Sequence, residues 1–118
     1  MKYIDQSNIK KITDNDEALF NELLNIFIEQ IDETKKTISK ALENKNYELL
    51  KQASHKIKSS LRTFGAYNLA SKFEDIETYD NLDSYNNLEI TINELIYKLD
   101  LVSEEVKNLK SKNKNEYE

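Results

Sequence analysis

The sequence predicts an all-α protein, an antiparallel four-helix bundle preceded by a short N-terminal helix or arm. Three observations lead there. With one Gly and no Pro in 118 residues, few residues are suited to tight turns or hairpins. Apolar residues recur at steps of three and four through four successive segments, which is the spacing of one helix face. The stretches between those segments are short, which favours antiparallel neighbours.

Residues 1–13 carry Tyr3, Ile4, Ile9 and Ile12, enough for a short helix or an arm lying on the domain. Asp14 followed by Glu17, or Thr13 by Asp16, resembles a capping box ahead of the first long helix. Phe20, Leu24, Phe27, Ile31, Thr34, Ile38 and Ala41 then keep to one face over roughly residues 15–44. Leu19, Leu23 and Ile26 form a second stripe about a quarter turn away, so this helix is expected to meet two surfaces. Asn44-Lys45-Asn46 reads as a short break. The second long helix, roughly 47–64, turns Leu50, Ala53, Ile57, Leu61 and Phe64 inward, and Gly65 punctuates its end. Leu69, Ala70, Phe73 and Ile76 mark a third helix at about 66–79. After a loop at Asp80-Asn81-Leu82-Asp83-Ser84, a fourth helix at about 85–109 carries Tyr85, Leu88, Ile92, Leu95, Leu99, Val102, Val106 and Leu109. The expectation is one domain over 1–110 and a polar, disordered tail at 111–118.

Composition narrows the function. A net charge of -5 argues against nonspecific binding to nucleic acid or an anionic membrane. Without Cys there is no disulfide framework, thiolate metal site or cysteine nucleophile. The opening residues, MKYIDQSNIKKITDND, lack an apolar signal region, and no stretch approaches membrane-span length. A cytoplasmic protein acting as a monomer is expected.

The single histidine of the chain, His55, stands on the second long helix. On a wheel of about 100° per residue it lies nearly opposite the apolar sector and so faces outward. Lys51, Lys58, Ser59 and Arg62 share that face, and no Asp or Glu occurs between Glu48 and Glu74. Such a setting suits phosphoryl transfer to an imidazole nitrogen. Neutral histidine is a nucleophile near pH 7, and neighbouring cations oppose imidazolium formation and screen an arriving phosphoryl group. Lys58, one turn away, is placed to hold a phosphate oxygen, and small Ser59 leaves room for a partner. An exposed histidine among lysines is also what an ordinary solvated face offers.

Residues 53–77 resemble the histidine-containing phosphotransfer (HPt) domain family. His55, Ile57, Lys58, Ser59, Ser60, Phe64, Gly65, Ala66 and Leu69 fall in order, without a gap, on its motif. The chain differs at Ser59, where many members have Gly, and at Ser54, where Ala is more usual. The resemblance implies that His55 is the phosphorylated residue and Lys58 the lysine beside it. It also implies that Gly65 ends the histidine helix and that Glu77 hydrogen-bonds the imidazole. Lys51, Ser59, Arg62 and Gly65 are then expected around the phosphate and the docked partner, with Leu19, Leu23 and Ile26 as further docking candidates.

By the same resemblance, the phosphoryl group moves from a receiver domain's phosphoaspartate to His55 and on to a second receiver. The partners implied are response-regulator receiver domains and a hybrid sensor histidine kinase. Mg²⁺ is expected on the receiver, with no cofactor or metal in this chain. One glycine excludes a Gly-rich nucleotide-binding domain, so the chain is not expected to phosphorylate itself from ATP. The histidine has Gln52 three residues before it, which fails the Glu-x-x-His pattern of di-metal bundles. Two alternatives stay open: a noncatalytic docking adaptor, and a substrate domain phosphorylated directly by a chemotaxis-type kinase.

Overall fold

A computed structural model describes residues 2–117, with side chains described through Lys110. The elements are α1 (Ser7–Thr13), α2 (Glu17–Glu43), α3 (Tyr47–Thr63), α4 (Tyr67–Thr78), a 3₁₀ turn (Leu82–Ser84) and α5 (Leu88–Tyr117). The four long helices form the expected bundle. α2 and α5 run antiparallel, since Lys35 bonds Asp100 while Lys110 bonds Asn25. α2 and α3 do likewise, with Gln30 beside Ser60 and Phe27 stacked on Phe64 at a centroid distance of 4.1 Å.

Each helix buries the face its spacing predicted. Leu24, Phe27, Ile31, Ile38 and Ala41 of α2 are sealed from solvent, as are Leu50, Ile57 and Leu61 of α3. Phe73 and Ile76 of α4 and Ile92, Leu99, Val102 and Val106 of α5 close the core. Removing this apolar surface from water is what holds the helices together.

The boundaries differ in instructive places. α2 starts later than expected, capped by Asp16, whose carboxylate accepts the Leu19 N–H. Asp14 and Asn15, with φ of 45° and 64°, form the turn before it instead of capping it. Asp and Asn tolerate this left-handed backbone better than most residues. α3 is capped by Asn46, which accepts from Leu49 N, after left-handed Lys45 makes the predicted break. α5 begins at Leu88, later than the predicted Tyr85, because Asn87 is left-handed at φ 57°. Tyr85 therefore sits outside the helix, edge-on to Tyr79. The tail expected at 111–118 falls outside the residues whose side chains are described.

The N-terminal arm docks on the far end of α3. Asp5 N–H donates to the Phe64 carbonyl and the Asn8 amide donates to the Thr63 carbonyl, both at 3.1 Å. The Tyr3 and Ile4 N–H groups converge on the Glu105 carboxylate at 2.5 and 3.1 Å. Ile9 is buried, which pins α1 to the bundle. The arm thus supplies donors to carbonyls that a helix end leaves unpaired.

Candidate functional site

His55 sits in the middle of α3 with its side chain 65% exposed, facing away from the sealed Leu50, Ile57 and Leu61. Among the described residues the imidazole has one protein partner. Its Nδ1 lies 2.5 Å from Glu77 Oε1 on α4. α4 is held there because Leu69, Ala70, Phe73 and Ile76 anchor its inner face. Glu74 and Glu77, three residues apart, consequently share the edge turned toward α3.

Lys58 Nζ donates to Glu77 Oε2 at 2.6 Å and lies 3.8 Å from Glu74 Oε1. Arg62 Nη2 donates to Glu74 Oε2 at 3.2 Å. Charges therefore alternate along the row Glu77, Lys58, Glu74, Arg62, with the imidazole hydrogen-bonded at its Glu77 end. The Glu77 carboxyl is held below its ordinary 4.5, first by the Lys58 hydrogen bond and, against partial burial, by the bond to His55 and by both nearby charges. An ionised Glu77 can only accept, so Nδ1 carries the ring proton in this network. Nε2 keeps its lone pair on an exposed ring, which is the arrangement of a nucleophile.

The neighbours of the imidazole are less free than the wheel suggested. Lys58 was expected on the outward face, yet it is buried against α4, its side chain 11% exposed. Lys51 donates to the Tyr79 carbonyl, and Arg62 is held by Glu74. A wheel drawn for α3 alone has no way to show that α4 brings carboxylates and a carbonyl to this edge.

A family model described as Hpt domain matches residues 22–111, about three-quarters of the chain and all of this constellation. The chain belongs to the Hpt domain family. It is 27% identical over 84 residues to the phosphorelay intermediate protein YPD1 of Candida albicans, covering 71% of this chain and 46% of YPD1. The chain thus spans less than half the length of that relative. Its fold is similar to that of histidine-containing phosphotransfer protein B (HptB) from Pseudomonas aeruginosa PAO1. The TM-score is 0.82 over 93% of this chain and 96% of HptB, at 17% identity.

Within this Hpt domain, the remaining candidates separate into two groups. Ser59 is exposed one turn beyond His55, and Leu19 and Ile26 on α2 are 37% and 43% exposed, with Leu23 half-buried. Gly65, expected among the docking residues, is instead buried beneath the arm, where it shapes the α3–α4 turn. Its φ is +77°, and a Cβ there would lie 2.5 Å from Asp5 N and 2.6 Å from Asp5 Cβ. A side chain at this position has neither the backbone angle nor the room. Glu74 was not among the expected site residues. The spacing of α3 could not have found it, because the pairing depends on the register of α4 against that helix.

Proposed function

We propose that this Hpt domain is a phosphorelay intermediate that carries a phosphoryl group on His55 Nε2 between receiver-domain aspartates. The observation supporting this most directly is the Nδ1–Glu77 bond at an exposed imidazole, with Lys58 holding Glu77 ionised. In the forward step, the Nε2 lone pair attacks phosphorus and the bond from phosphorus to the aspartyl oxygen breaks. The aspartate leaves as carboxylate. Nδ1 keeps its proton, and the positive charge that develops on the ring lies against the Glu77 carboxylate. Reversal of the step on a second receiver delivers the phosphate onward.

In this reading the receiver supplies the acidic pocket and the Mg²⁺. Positioning and charge neutralisation are most of what phosphoryl transfer requires. The exposed face around His55 and Ser59 receives the partner, with the apolar Leu19, Leu23 and Ile26 stripe as the extension of that face on α2. A hybrid sensor kinase loads the first receiver, and the chain has no ATP-dependent kinase activity of its own. A cytoplasmic monomer fits this role, and among the described residues no helix is long and apolar enough to cross a membrane.

A transfer screen against the receiver domains and histidine kinases of the source organism tests the proposal. Gain of phosphate from one receiver and loss to another is the expected result. Phosphorylation only by a kinase with ATP would reassign the chain as a kinase substrate domain. No labelling by any donor, with intact docking, would leave an adaptor.

A further inference from the structure

We propose that Glu74 is a positioning residue that sets how much positive charge α3 presents to a phosphoryl group on His55; this rests on the phosphotransfer reading above. Glu77 bonds the ring and therefore has a task at the reacting group. Glu74 does not. Both of its oxygens face cations: Oε2 takes Arg62 at 3.2 Å, and Oε1 lies 3.8 Å from Lys58.

Charge accounting gives the consequence. Lys58 and Arg62 bring two positive charges to this edge, and Glu74 and Glu77 bring two negative ones. An arriving phosphoryl dianion therefore meets cations already held by carboxylates. Arg62 lies two turns from His55 on the same face, about 10 Å along the axis, within reach of a phosphate's field at moderate salt. Glu74 keeps Arg62 back and shares Lys58, which leaves the phosphohistidine less stabilised and easier to discharge. A relay that must surrender its phosphate benefits from that weak hold.

The test needs no partner protein. Potassium phosphoramidate phosphorylates imidazole directly: the bond to ammonia breaks as the P–N bond to the ring forms. With one histidine in the chain, a single ³¹P resonance reports the product. Its pH titration gives the phosphoryl protonation constant, which nearby positive charge lowers. Glu74→Gln should lower that pKa by about 0.3–0.7 units, a two- to fivefold change in the constant. Arg62→Ala should raise it, and the double variant should fall between the two single ones. An unchanged or raised value in Glu74→Gln would overturn the proposal. If that variant fails to fold, Arg62→Ala decides alone, and a value equal to wild type refutes the idea. Because loading is chemical, a shift seen here alongside failed receiver transfer would refute only the relay reading.

Discussion

On the proposed function, the reactivity of His55 depends on which ring nitrogen keeps the proton, and the Glu77 carboxylate on a neighbouring helix decides it. Glu77→Ala removes the acceptor from Nδ1 and frees Lys58, so transfer to His55 should slow by about tenfold, the worth of a charged hydrogen bond. Rapid-quench measurement against one phosphorylated receiver checks this. Lys58 acts largely through the same carboxylate, so Lys58→Ala should also slow transfer while circular dichroism stays unchanged. The pH dependence has a definite sign. Glu77 is held below 4.5, so the unfolded chain takes up its proton more readily than the folded one. The stabilisation is complete above that ordinary value and is lost as pH falls through the lower folded one. Urea titrations of Glu77→Gln at a series of pH values should show a shallower loss of stability below about pH 5 than wild type. At this scale the sequence disclosed the exposed imidazole, because one helix's spacing settles where His55 points. It did not disclose that Lys58 is buried, since that depends on the register of α4 against α3. Glu77 was reached only through family likeness, and Glu74 was missed.

Helix starts and stops follow local chemistry closely, and where they were misjudged the reason lies in the turns. The capping residue of α2 is Asp16 because Asp14 and Asn15 both take left-handed backbone, a preference shared by too many polar residues to assign from sequence. Asn46→Ala should cost about 1 kcal/mol through loss of the α3 cap, read from the denaturation midpoint. Gly65 was legible as the end of the histidine helix, but not as the seat of the N-terminal arm. The arm lies far away in sequence, and its contact is made by Asp5 backbone that no side-chain pattern reports. Gly65→Val meets both a left-handed angle and that backbone, so it should destabilise the domain by about 2–4 kcal/mol. Equal midpoints for the variant and wild type would show that the arm yields at no cost.

Across the whole molecule, four amphipathic stripes and the scarcity of turn-forming residues were enough to foresee the bundle. The stripes survive because each buries its apolar face against the others. The exposed faces carry the function, and periodicity says little about them beyond which residues point outward. The assembled molecule supplies what a single helix lacks: α3 presents the imidazole, α4 fixes its tautomer, and the arm closes the end of α3. On the proposed function, this assembly carries phosphate on one nitrogen of His55. The direct measurement is incubation with a phosphorylated receiver and Mg²⁺, scoring phosphate on the chain for acid lability and alkali stability, in wild type and His55→Gln. Acid-labile, alkali-stable phosphate should appear on wild type and be absent from a fully folded His55→Gln. Equal labelling of the two proteins would contradict the account.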